Sequence, residues 1–262
     1  MKLRLTRKDL AIGAGILIVL FAAFEFIAAE KPIGGKLSGQ VFLDAKVAAL
    51  ARSACHGDRG GVARAVRGGA NPNGPGYDGV TPLYWAMACK NLAGTEALLE
   101  AGSDPNLKFG GDFSATHLAA GMPDPDYLKI MLRHHGDPNA FDARNGSTAL
   151  TEALQVGITT DKWDNYYALL NGGADINLVD NNHTSALMVA AANSRYDKVA
   201  ELIERGYSQN LQELAIPLAM QLAIEDDYRR RQVPGASAQA LANMGKVKQL
   251  LIARGIDVPA RP

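Results

Sequence analysis

Catalytic signatures are missing from this chain. Its five histidines, His56, His117, His134, His135 and His183, form no H-E-x-x-H pair, and no G-x-S-x-G, paired C-x-x-C or phosphate-cradling glycine loop occurs. Zinc hydrolysis, serine hydrolysis and nucleotide chemistry therefore lack their usual residues, and no metal or cofactor is expected. An excess of one charge is missing too. With 27 basic and 27 acidic residues the formal net charge is zero, and no basic stripe exists to hold a phosphate backbone, so nucleic acid is not an expected partner. Aromatic residues make up 6% of the 262, and cysteine occurs twice.

Long apolar runs are absent with one exception. Leu10 to Ala29 is apolar apart from Glu25, and about 20 residues at about 1.5 Å each span about 30 Å of hydrocarbon. Lys2, Arg4, Arg7 and Lys8 precede the run, which predicts a basic cytoplasmic N-terminus over 1–9 and an inner-membrane helix over 10–29 with the remainder in the periplasm. Cleavage after Ala29 would instead release a soluble periplasmic protein; bulky Ile27 two residues earlier favours an uncleaved anchor. Residues 30–41, rich in Pro and Gly, read as a flexible tether, and 259–262 as a short tail.

The remainder, 42–258, repeats. Asn73, Asn106, Asn139, Asn177 and Asn210 are spaced by 33, 33, 38 and 33 residues. Seven residues before them stand Val66, Leu99, Leu132, Leu170 and Ile203, the apolar face of a second helix. Four residues before them stand Gly69, Gly102, His135, Gly173 and Gly206, where the chain leaves that helix in a left-handed conformation. Thr81, Ser114, Thr148 and Ser185 are N-caps of a first helix. The pattern predicts an all-α solenoid of about six helix-turn-helix units joined by hairpins.

In particular residues the chain resembles the ankyrin-repeat family: Asp78-Gly79-Val80-Thr81-Pro82-Leu83 is similar to its D-G-x-T-P-L opening, and Thr116-His117-Leu118-Ala119-Ala120 to its L-H-L-A-A helix start. Gly69-Ala70-Asn71-Pro72-Asn73 and Gly173-Ala174-Asp175-Ile176-Asn177 resemble its G-A-D-V-N ending. Tyr84 replaces the family's histidine, which puts the usual inter-unit hydrogen bond there in doubt, while His117 occupies that position and is expected to bond locally. The fourth unit carries extra residues around Gly157-Ile158-Thr159-Thr160-Asp161, expected as a loop between its helices. Both ends deviate as capping units do. Cys55 and Cys89 fall just beyond the alanine pairs of adjacent first helices but one step out of register. Two buried thiols are the plainer reading, and an oxidising compartment would permit a disulfide.

Aromatic placement suggests where a partner sits. Tyr77, Phe109, Phe113 and Phe141 lie in the connections between units and Trp85 on an inner helix; with Arg144 they form the expected contact anchors, and Asn181 and His183 the rim. The same side chains could instead pack against neighbouring loops. Trp163 flanks the insertion, and Tyr166 falls on the core register. An array of this kind implies a protein partner and a monomeric, non-catalytic chain. The export segment, the Cys55-His56-Gly57-Asp58 stretch and Gly79-Val80-Thr81-Pro82-Leu83-Tyr84-Trp85-Ala86 together resemble bacterial ankyrin-repeat immunity proteins paired with type VI secretion phospholipase effectors. That resemblance implies binding and inhibition of a periplasmic lipase. The alternative is a periplasmic scaffold supporting another enzyme, such as a stress-response catalase.

Overall fold

Short polar residues ahead of apolar runs set where the helices begin. The structure, a computed structural model, describes residues 38–109, 112–230 and 238–259. The chain forms two compact units, residues 1–111 and 112–262. In the first, α1 (Ser38–Val41), α2 (Ala45–Cys55), α3 (Arg59–Arg67), α4 (Pro82–Ala88) and α5 (Leu92–Glu100) are followed by a short strand β1 (Lys108–Phe109), with a 3₁₀ turn at Tyr77–Gly79. Asp44, Asp58, Thr81 and Asn91 each accept a backbone N–H of the first helical turn that follows. Pro82 at the first position of α4 lacks a donor that would have had no partner. Gly94 is a glycine because α5 crosses the backbone of Ala54 so closely that a Cβ would collide with it. Leu50, Ala54, Leu83, Met87 and Leu98 fill the core between the helix pairs.

The second unit runs β2 (Phe113–Ser114), α6 (Ala115–Ala120), α7 (Pro125–Arg133), α8 (Ala149–Thr160), α9 (Asp164–Asn171), α10 (Ala186–Ala192), α11 (Tyr196–Glu204), a 3₁₀ turn at Leu211–Leu214, α12 (Ala215–Arg230) and α13 (Ala238–Ala253). Ser114, Thr148 and Ser185 cap α6, α8 and α10 as the sequence predicts. Helix α8 packs on α6 and α10 on α8, while α9 lies against α7 and α13 against α11. Leu128, Leu150, Leu154, Leu169, Leu187 and Leu202 are sealed between these layers. The left-handed exits appear at Gly69, Gly102, Gly173 and Gly206 and also at His135, whose φ of 66° a histidine tolerates better than a branched residue.

The ladder asparagines hold one turn to the next. Asn73 Oδ1 accepts the Asp104 N–H at 2.8 Å, Asn139 Oδ1 that of Asp175 at 2.7 Å, and Asn177 Oδ1 that of Ser208 at 3.0 Å.

Several expectations change. The inserted residues of the fourth unit do not form a loop: they lengthen α8 to 12 residues, against 7 in α10, and the helix stops at Asp161 in a left-handed conformation. An added turn keeps its backbone hydrogen-bonded, which a loop of that length would not. Cys55 and Cys89 form a disulfide with 5.4 Å between Cα atoms. The register offset is absorbed because Cys55 is the last residue of α2 and Cys89 lies just beyond α4, where both chains leave helical geometry. Residues 38–41, expected in the tether, form α1, with Ser38 buried. Among the described residues no helix is long and apolar enough to cross a membrane. The expected span at 10–29 lies outside them.

Candidate functional site

Each hairpin tip of the second unit is tied to its neighbour through the main chain. The Ala143 N–H donates to the Asp112 carbonyl at 2.7 Å, and the Asn181 N–H to the Asn145 carbonyl at 2.9 Å. Asn181 Nδ2 adds a bond to the Arg144 carbonyl at 3.3 Å. Gly146 has a φ of 76° and sits where a Cβ would press within 2.8 Å of the Asn181 backbone nitrogen, so the next tip can close down on it. Within a hairpin, Phe141 bridges Thr148 and Val179 bridges Ser185. Asp180 Oδ1 accepts the N–H groups of Asn182 and Thr184, each at 2.8 Å, and leaves His183 left-handed and exposed at the tip.

One charged group organises the middle of this surface. Arg144 Nη2 lies 2.7 Å from Asp142 Oδ2, and its Nε lies 3.4 Å from Asp112 Oδ2. Its guanidinium covers the Phe113 ring at 5.4 Å from the centroid. Burial opposes charge on Asp142, but hydrogen bonds from the Arg144 side chain and backbone, with that cation's field, hold the carboxyl below its ordinary range. Beneath lies buried His117, whose Nε2 donates to the Ser147 carbonyl at 2.9 Å. Ser147 Oγ in turn donates to Glu152 at 2.6 Å. His117 thus bonds the next hairpin rather than locally. Burial pushes its imidazole below the ordinary value, and Glu152 and Asp142 do not fully offset that.

The sequence-derived anchors divide. In the second unit Phe141 is 47% exposed, Phe113 is half-buried, and Arg144, Asn181 and His183 are exposed. These five share successive hairpins. In the first unit Tyr77 projects at 74% exposure from its 3₁₀ turn. Trp85 is half-buried, edge-on to Phe42 at 6.1 Å. Phe109 is buried, its ring 4.0 Å from that of Tyr84, so the side chain expected as an exposed anchor packs inward instead. The reason is Tyr84 itself: where the family carries histidine, a larger ring draws Phe109 over it. Burial raises the Tyr84 phenol to about 12.

A second cluster on the outer helices of the second unit gathers Trp163 and Tyr166 around a lysine that no spacing rule singles out. Lys198, buried, points its ammonium at the rings of Trp163, Tyr166 and Tyr167 at 4.5, 5.3 and 4.7 Å and bonds Tyr167 Oη at 2.6 Å and Glu201 at 3.2 Å. Arg195 covers Trp163 at 4.3 Å. A shallow cavity of about 430 Å³ opens beside it, lined by Lys129, Trp163, Asp164, Tyr167, Ala168 and Asn171. Since the cluster satisfies its own charges, it reads as reinforcement of the lengthened fourth unit. Among the described residues no group of His, Cys, Asp or Glu could hold a metal ion.

Within each unit, stacked helix pairs joined by hydrogen-bonded turns define a scaffold of repeats. Family profiles described as ankyrin repeat and ankyrin repeats (3 copies) match residues 78–108 and 116–213. Protein PhlB of Serratia liquefaciens is 31% identical over 193 residues, covering 73% of this chain and 81% of that protein. Neurogenic locus notch homolog protein 1 of Mus musculus is 28% identical over 134 residues, 51% of this chain and 5% of that protein. The nuclear factor NF-kappa-B p105 subunit of Gallus gallus is 31% identical over 97 residues, 37% of this chain and 10% of its own length. The chain belongs to the ankyrin-repeat family, and its repeats imply a role in protein–protein interaction.

Proposed function

We propose that this chain is a non-catalytic immunity protein that binds a phospholipase effector of type VI secretion outside the cytoplasm and blocks it by occlusion. The observation that carries the binding surface is the tip-to-tip main-chain bonding from Asp112 through Asn145 to Asn181. It fixes Phe141, Phe113 and Arg144 in place before any partner arrives, so little ordering entropy opposes association. The choice of a lipase rests on the resemblance of the export segment and first units to that group of immunity proteins. The disulfide between Cys55 and Cys89 is in keeping with an oxidising compartment.

Titration of the purified chain into a periplasmic phospholipase toxin tests the reading. Inhibition that saturates at a fixed stoichiometric ratio, without chemical change to the toxin, is the expected result. Full lipase activity at saturating chain, or association with a catalase instead, would replace it with the scaffold reading.

A further inference from the structure

The first helices of the second unit share a register that shows what each position is for. Helices α6, α8, α10 and α12 begin at Ala115, Ala149, Ala186 and Ala215, and these alanines, like Ala119, Ala153, Ala190 and Ala219 four residues on, are all buried. The second position is sealed in the three helices that have a successor, as Thr116, Leu150 and Leu187. In α12 it is Ile216, 59% exposed. The sixth position is sealed as Ala120 and Leu154 and half-buried as Ala191, yet Met220 is 50% exposed, with Ile224 one turn further along the same face. In the outer helices Ile203, three residues before Gly206, is fully buried, whereas Ile252, three residues before Gly255, is 54% exposed. At the corresponding position of the other outer helices Leu132 and Leu170 are half-buried.

Helix α13 packs on α11 and α12. Lys246 Nζ reaches Glu204 at 2.8 Å and Arg254 Nη2 donates to the Ile203 carbonyl at 2.7 Å, so these two cations point back toward α11. The opposite edge carries isoleucine and methionine where a capping unit ordinarily shows polar residues.

We infer that this edge is an interface, and that a second copy of the chain covers it through the same edge. The exposed positions are those a following helix pair would seal, so the fitting occupant is another helix pair; the α12–α13 pair of a second copy is one, and it presents the same residues. Apolar side chains meeting across a two-fold axis are self-complementary. Ile216, Met220 and Ile252 bring no charge to repel their copies, and the chain as a whole has a formal net charge of zero. Two helices each about 24 Å long and about 10 Å wide present on the order of 500 Å² in projection, and more as accessible surface, against about 800 Å² per partner in a stable complex.

Sedimentation velocity of the full chain, in one detergent throughout, tests this over a micromolar concentration range. The expected result is a concentration-dependent dimer. Met220→Glu with Ile252→Glu should weaken it by at least roughly a hundredfold, because like charges would face each other across the axis, while helicity and the unfolding midpoint at low concentration stay those of the parent. A parent chain that stays monomeric throughout, or a folded variant that dimerises as before, overturns the proposal. Should that variant fail to fold, hydrogen exchange of the parent decides: slower exchange in α12 and α13 on concentration supports the interface, and concentration-independent exchange there overturns it.

Discussion

At the scale of single residues, the disulfide and two titrating groups make stability depend on solution conditions. The disulfide closes a sequence separation of 34 residues, and a loop of that length constrains the unfolded chain by about 3–4 kcal/mol in the chain-entropy account. Reduction, or Cys55→Ser with Cys89→Ser, should therefore lower the urea midpoint clearly; equal midpoints with and without reductant would show the bond to be energetically idle. The first titrating group is His117. Its folded imidazole sits below the ordinary value, so the unfolded chain binds the proton more readily. Its contribution is complete above pH about 6.5 and is lost as pH falls below that. Asp142, held low by Arg144, behaves likewise in a lower window: its contribution stands above pH about 4 and is lost as pH falls through the folded value. The urea midpoint should drop between pH 7 and 5.5, within about one unit of the histidine value. In His117→Gln that drop should flatten, leaving the acid limb from Asp142. A slope identical to the parent's would remove His117 from the account.

Helices and hairpins show which parts of the molecule the sequence could disclose. Caps, glycine exits and the asparagine ladder were legible because each obeys a local rule that depends on a few adjacent residues. The extra turn of α8 was not. Gly157 reads as a helix breaker, yet it lies inside the helix because the Trp163 ring presses against the place a Cβ would occupy. Phe109 was misplaced for a similar reason: its burial is decided by Tyr84, 25 positions earlier, and no spacing rule links the two. The Lys198 cluster needs residues from two outer helices at once. A sign test follows. Gly157→Ala in an open helix stabilises by about 1 kcal/mol, but here overpacking against Trp163 should reverse it to a loss of about 1–3 kcal/mol, with a red-shifted tryptophan emission. A gain in stability would mean the ring yields freely.

For the whole molecule the question is whether recognition and folding can be separated. Phe141→Ala paired with Arg144→Ala removes an exposed ring and the cation over Phe113 but leaves the main-chain bonds of the tips in place. Anchors that become buried in the complex lose at least about 2 kcal/mol on truncation, roughly thirtyfold in affinity. If the proposed function holds, the pair should thus fail to restrain a phospholipase toxin while unfolding with most of the parent's cooperativity. Protection at the parent's level would move the binding surface elsewhere. Zero net charge gives a further expectation: association should depend only weakly on ionic strength, since no long-range field steers the encounter. A steep salt dependence, seen in association rates, would contradict it.

Because neighbouring tips are joined N–H to carbonyl, from Ala143 to Asp112 and from Asn181 to Asn145, their spacing is indifferent to most side chains that happen to stand there. Substitutions at positions such as Phe141 or His183 can accumulate without loosening the ribbon beneath. Descendants of one ancestral chain can then diverge in what they recognise while their hairpins superpose, each lineage exchanging ornaments on a common frame.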